Sequence, residues 1–254
     1  MSLAASDAIR SDPTHVGYIV HSRRPLVVLV FLLPLILAYE VGAVLLLNEA
    51  ALGTPLVARS IIASTFGLFG VAGLHLPAVL LIVVLLAQHA VANDPLRVGA
   101  RTLVIMLAES AVWAMPLLVL AMVLGLIAVG GPSADDLWRV GTIAIGAGLY
   151  EELVFRLAMI AGVHALLVDV CGVRSKPADV LALIASTIAF AAYHRLGPEG
   201  EAVLAVTVFY LIAGLLLGWL FLARGLGIAV GAHAAYDLAV LVVLPALAGG
   251  RPEA

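Results

Sequence analysis

Three groups of ionisable residues lie in stretches otherwise built from Ala, Leu, Val and Ile. The first is Glu151-Glu152-Leu153-Val154-Phe155-Arg156. Glu152 and Arg156 are four positions apart, share a helix face and can pair as a salt bridge. Glu151 sits about 100° further round a helix, away from that pairing. Two adjacent carboxyls with one guanidinium leave a negative charge uncompensated, which packing alone does not select; the structural alternative is an ion-pair latch between helices. The second group is Phe190-Ala191-Ala192-Tyr193-His194, whose imidazole could equally be a satisfied polar group at a helix end. The third is His233-Ala234-Ala235-Tyr236-Asp237. Its His and Asp face the same way, a spacing that suits metal ligation, joint polarisation of a substrate carbonyl, or an Asp that simply hydrogen-bonds a His. The small residues Gly231, Ala232, Ala234 and Ala235 around it permit close approach of another helix.

Other ionisable residues fall in apolar stretches too: Glu40, Glu109, His75, His89 and His164. Each has a plain structural explanation. Glu40 and Glu109 read as single carboxyls, protonated or hydrogen-bonded to a neighbouring helix, and His164 reads as interfacial. No Ser or Cys stands four residues from a buried His as an activated nucleophile would. Hydrolytic chemistry at this set therefore means activation of water.

The elements that hold these residues must be membrane helices. Of 254 residues, 64% are hydrophobic and 11% charged, with mean hydropathy +1.18; a soluble domain carries roughly 25% charged residues. Runs such as Val79 to Ala87 and Leu211 to Leu222 are apolar on every face, which excludes the alternating pattern of an outer-membrane barrel. The expected fold class is all-α, a polytopic transmembrane bundle of about seven helices, at 26–47, 60–92, 102–129, 139–168, 179–200, 202–223 and 227–247. The second stretch is too long for one upright helix and contains Gly70, Gly73, His75 and Pro77, so an eighth element is an alternative. Pro34 and Pro116 lie inside spans, where membrane helices tolerate them.

Basic residues in short loops set orientation. With the N-terminus inside, eight lie on the inner side (Arg10, Arg23, Arg24, Arg97, Arg101, Arg174, Lys176, Arg224) and four outside (Arg59, Arg139, Arg195, Arg251). The N-terminal stretch to Arg24 is polar and shows no removable signal peptide. The single Cys171 excludes an intramolecular disulfide. A net charge of −3 with no basic cluster gives no nucleic-acid footprint. Twelve of the thirteen basic residues are Arg, which with the excess of Ala, Leu, Val and Gly points to a GC-rich bacterial genome; the expected location is the inner membrane, as a multi-pass protein.

In type and order, EELVFR, FAAYH and HAAYD resemble the CPBP family of intramembrane proteases. That family includes the type II CAAX prenyl endopeptidases and the bacterial abortive-infection membrane proteins. Its pattern is EExxxR, then FxxxH, then HxxxN or HxxxD. Gly214–Leu215–Leu216–Leu217–Gly218 also looks like the family's Gly-containing helix. The likeness covers about 140–245 and implies a catalytic membrane core at 131–248; the first 130 residues match nothing in it, and hydropathy places a polar tail at 1–25, N-terminal membrane helices at 26–130 and a tail at 249–254. It implies an endopeptidase acting on a membrane-anchored protein or peptide: a sorting tail, a lipidated peptide, or a bacteriocin or pheromone precursor. Carried over by position, Glu151 matches the general base and Glu152 with Arg156 completes its motif. His194 matches the residue that helps hold water, and His233 with Asp237 matches the oxyanion-stabilising pair. The Asp departs from the family's frequent Asn. An ionised Asp237 would repel an oxyanion, so it would have to be neutral, orient His233, or ligate a metal. No cofactor is expected; zinc held by Glu151, His194, His233 and Asp237 is the alternative. Two other functions compete: a non-catalytic immunity or scaffold protein, and a proton-coupled transporter, which the absence of inverted repeats disfavours.

Overall fold

Helices account for the regular structure in the computed structural model, which describes residues 17–46, 76–127, 134–194 and 203–249. No β-strand occurs among these residues. The elements are α1 (Tyr18–Ser22), α2 (Pro25–Leu46), α3 (Leu76–Ala92), α4 (Ala100–Val123), α5 (134–170), α6 (Ser175–His194), α7 (Val203–Arg224) and α8 (226–249). Two of these rods change pitch along their length. α5 is α-helical over Ala134–Glu152 and Ala161–Ala165 and π-helical over Leu153–Ile160 and Leu166–Val170. α8 is α-helical over Leu226–Leu238, π-helical over Ala239–Val243 and α-helical over Leu244–Gly249.

Six helices among the described residues are long and apolar enough to cross a membrane: Pro25–Leu46, Ala100–Val123, Leu137–Val170, Ser175–His194, Leu204–Arg224 and Leu226–Leu247. A shorter apolar helix covers Ala78–Ala92. The protein is a multi-pass helical bundle. Its outer surface carries large aliphatic side chains such as Leu45, Val104 and Val123, each more than 60% exposed. Water would drive such a surface to associate, whereas hydrocarbon matches it. Residues 60–75 of the expected second span, with His75 and the question of an eighth element, lie outside the described residues.

Several helix ends differ from those expected. The span expected at 102–129 stops at Val123, where Gly125 turns the chain at φ 66°. Leu126 and Ile127 continue the apolar run, so hydropathy does not register that stop. The span expected at 139–168 extends over 134–170. The one expected at 179–200 is helical over Ser175–His194, and 195–200 lie outside the described residues.

α8 is the centre of the bundle. Every residue from Leu226 to Ala234 is buried, against α2, α4, α5 and α7. A single residue, Gly225, joins α7 to α8 with φ 89°, a conformation that side-chain-bearing residues rarely adopt. Close packing of α8 depends on missing side chains. A Cβ on Gly148 of α5 would lie 2.8 Å from the backbone nitrogen of Ala234, and one on Gly231 would collide with Ser110 of α4.

The α7–α8 turn is tied to the rest by an ion pair. Glu109 is hydrogen-bonded to a neighbouring helix: Arg224 donates to it twice, Nε to Oε1 at 2.6 Å and one terminal nitrogen to Oε2 at 2.8 Å. Tyr18 of α1 donates its hydroxyl to the same carboxylate at 2.5 Å. Burial, then the hydrogen bond to Glu109, push the Tyr18 phenol up to about 12, so it stays a donor at any physiological pH. Arg224, expected in a loop, is the last residue of α7. Glu40 accepts a hydrogen bond from Tyr150 at 2.5 Å, as one of its expected explanations required. His164 pairs with Asp179 at 2.8 Å in a half-exposed position.

Candidate active site

Glu151 and Glu152 are the last two residues of the α-helical part of α5, immediately before its π-helical segment. Widening the helix to i→i+5 bonding changes the angle between successive side chains, and such segments recur at functional sites. The carbonyl of Phe155 inside this segment accepts from Ser186 of α6 at 2.7 Å, a buried bond that fixes α5 to α6 beside the glutamates.

The two glutamates are spent differently. Glu152 Oε2 lies 3.1 Å from Arg156 Nε, with both side chains fully buried. Its other oxygen, Oε1, meets His233 Nδ1 at 2.9 Å. A carboxylate only accepts, so Nδ1 of His233 carries the proton and donates. The ring's Nε2 then faces Asp237 Oδ2 at 3.4 Å and Glu151 Oε2 at 4.0 Å. His194 is arranged in the same way by a different acceptor. Its Nδ1 donates to the Phe190 carbonyl at 2.9 Å, and Nε2 points to Glu151 Oε2 at 3.4 Å. Glu151 thus stands between two imidazole Nε2 atoms, and its Oε2 makes no hydrogen bond with any described residue.

All six residues singled out from the sequence come together, from α5, α6 and α8. Glu151, His194, His233 and Asp237 line one cavity of about 370 Å³. The remaining walls are mostly apolar, from α4, α7 and α8. Glu152 and Arg156 lie behind the cavity lining. His233, only seven residues after the start of α8, reaches the glutamates because that helix begins inside the bundle, at buried Leu226.

Three contributors were not singled out by sequence reasoning. Phe190 entered only as the start of a motif, yet the Arg156 guanidinium sits 4.4 Å over its ring and the His194 ring is 4.5 Å away. Gly148 allows α8 to approach the carboxylates. Tyr210 of α7 stacks on His194. A glycine one turn before a buried Glu is a signal that could have been weighed; for Tyr210 there is none, because only tertiary packing brings α7 to α6.

The donor types here are those of zinc sites, and each imidazole keeps one nitrogen free. Among the described residues, however, no group of three or more His, Cys, Asp or Glu is arranged to hold a metal ion.

Fold and cluster together define a multi-pass membrane protein with a buried carboxylate–imidazole centre of the kind that activates water. Residues 133–239 match the family model described as Rce1-like, type II CAAX prenyl endopeptidase. That stretch holds all three motifs, so the resemblance to the CPBP and CAAX proteases holds for the segment that carries every candidate site residue. The likeness of this segment supports, at the level of the family, a CAAX-type intramembrane protease. No curated protein and no solved structure matches the chain.

Proposed function

We propose that the protein is an endopeptidase that hydrolyses a peptide bond in a membrane-embedded or membrane-proximal segment of a protein, with water activated by Glu151 and His194. One observation carries this. Of two adjacent carboxylates, Glu152 is consumed by Arg156 and His233, while Glu151 faces the cavity between two Nε2 atoms with an oxygen to spare.

A water bridging Glu151 Oε2 and His194 Nε2 loses its proton to the carboxylate, and its oxygen attacks the scissile carbonyl carbon. The oxyanion forms next to His233, whose Nδ1–H is committed to Glu152 and whose Nε2 therefore faces it. Donation from Nε2 requires a proton there, and Asp237 at 3.4 Å holds that nitrogen in place. Asp237 acts through this contact, or as a neutral acid that donates directly. Glu151 then returns its proton to the leaving amine, so no acyl-enzyme forms and the protons balance. General-base assistance is worth roughly 10²–10⁴-fold, and an oxyanion donor in a site shielded from water roughly 10²–10³-fold. No step calls on a metal. The apolar walls suit an uncharged stretch of substrate chain, and the bilayer of a bacterial inner membrane, with the N-terminus inside, is the setting proposed for it.

The test uses purified wild type and Glu151→Gln in liposomes, with a quenched fluorescent peptide ending in a prenylated CAAX sequence. In parallel, peptide termini are sequenced by mass spectrometry in membranes of cells expressing either form. Cleavage or new termini that require Glu151 are expected. Termini identical in the two cell lines, with the peptide untouched, would leave the scaffold or the proton-coupled transporter in its place. Equal cleavage by both forms would remove Glu151 from the mechanism.

A further inference from the structure

Tyr210 belongs to none of the three motifs, yet it makes the closest ring contact with the site. Its ring lies face to face with the imidazole of His194, with centroids 3.9 Å apart and planes at 17°. His194 needs such a brace. It lies at the end of α6 as described, and its ring is met by side chains of two helices. Its Nδ1 bond to the Phe190 carbonyl, at 2.9 Å, pins one corner of the ring. The Phe190 ring at 52° and the Tyr193 ring at 81° meet the imidazole tilted or edge-on, and both belong to the same helix end. The flat contact comes from a different helix, α7. Tyr210 is in turn held by Phe209, edge-on at 5.3 Å, and by Phe190 at 6.1 Å. The plane that it presents to His194 is therefore set by packing.

We infer that Tyr210 is a positioning residue: by stacking on His194 it fixes the imidazole plane so that Nε2 points at Glu151. This rests on the proposal that Glu151 and His194 hold the attacking water. A ring free to swing about Cβ–Cγ would spend part of its time with Nε2 away from the carboxylate, at 3.4 Å in the stacked arrangement. Misplacement of a group that must hold water reduces turnover while leaving substrate affinity alone. The stack belongs to the ring and needs no hydroxyl, so phenylalanine replaces tyrosine and an aliphatic residue does not.

Two variants test this, Tyr210→Phe and Tyr210→Leu. With the prenylated peptide, Tyr210→Leu should lose roughly 3- to 10-fold, the scale of an aromatic pair, in kcat and not in KM, with at most a small drop in melting temperature from the same lost contact. Tyr210→Phe should match wild type. A readout free of substrate accompanies it: in protein labelled with ¹⁵N-histidine, the His194 Nδ1–H resonance should be sharp in wild type and Tyr210→Phe and broadened in Tyr210→Leu. Three results overturn the inference: an unchanged sharp resonance in Tyr210→Leu, a loss in Tyr210→Phe equal to that in Tyr210→Leu, or a loss confined to KM, which would make Tyr210 a substrate contact. Glu151→Gln separates this from the underlying proposal. If that variant is inactive while Tyr210→Leu turns over normally with a sharp resonance, only the role of Tyr210 fails. If Glu151→Gln is fully active, the water-activation scheme fails whatever Tyr210 does.

Discussion

An alanine at position 148 should separate the two halves of the site without altering a charged atom. Gly148 lies one helical turn before Glu152, facing α8 at Ala234, the neighbour of His233. A Cβ placed there would stand 2.8 Å from the Ala234 nitrogen and 2.9 Å from its Cα. Carbon needs roughly 3.5–4.0 Å from such atoms, so α8 must withdraw by about 0.7–1 Å; the obstacle is backbone, which has no rotamer to change. The His233–Glu152 bond, now 2.9 Å, would lengthen to about 3.7 Å, beyond hydrogen-bond range. Alanine's better helix propensity, worth up to about 1 kcal/mol, offsets part of an overpacking cost of about 1–3 kcal/mol. The net destabilisation is therefore about 0–2 kcal/mol plus the lost His233–Glu152 bond, while a misplacement of about 1 Å lowers turnover on the order of 10²-fold. Glu151-dependent cleavage and thermal melting should be compared with Gly141→Ala, two turns earlier on the same helix, where the added Cβ would meet only Val242 and Leu238 side chains at 3.7 and 3.9 Å. Gly141→Ala should behave as wild type. If Gly148→Ala is as active as Gly141→Ala, the carboxylate–imidazole geometry does not limit the reaction and the reasoning fails.

Glu152→Gln leaves Arg156 buried without a counter-charge and should cost about 3–5 kcal/mol of stability, read as a large drop in melting temperature; an unchanged melting curve would mean that Arg156 is neutralised elsewhere. Asp237→Asn keeps the shape beside His233 and supplies an amide donor, so activity should survive or rise. Stoichiometric zinc in wild type purified without chelators, together with an inactive and zinc-poor Asp237→Asn, would refute the metal-free scheme. Glu109→Gln and Arg224→Gln should each lower stability, and a double-mutant cycle should show coupling of about 1–3 kcal/mol, because the partners sit 2.6–2.8 Å apart in a half-buried site; strict additivity would show that the pair contributes nothing. Cys171, exposed and the single cysteine, should react with a membrane-impermeant maleimide in inverted vesicles and not in intact spheroplasts. The opposite pattern reverses the proposed orientation.

Hydropathy alone required a helical membrane bundle, because no packing of so apolar a chain could satisfy water. The i,i+4 spacings likewise required that Glu152 face Arg156 and His233 face Asp237, since a helix leaves those pairs no other arrangement. Other features were settled only by contacts between distant parts of the chain. That the partner of Glu109 is Arg224, 115 residues later, is visible only once the helices are packed. That Glu152 serves His233 as well as Arg156, leaving Glu151 to the cavity, follows from the depth at which α8 enters the bundle, and a one-residue turn at Gly225 sets that depth. The brace on His194 is of the same kind: α7 delivers Tyr210 to the end of α6, and an aromatic stack between two helices leaves no periodic trace in either. Local spacing fixes which side chains share a face, whereas the approach of one helix to another depends on what each lacks, as at Gly148, and that is decided by both helices at once.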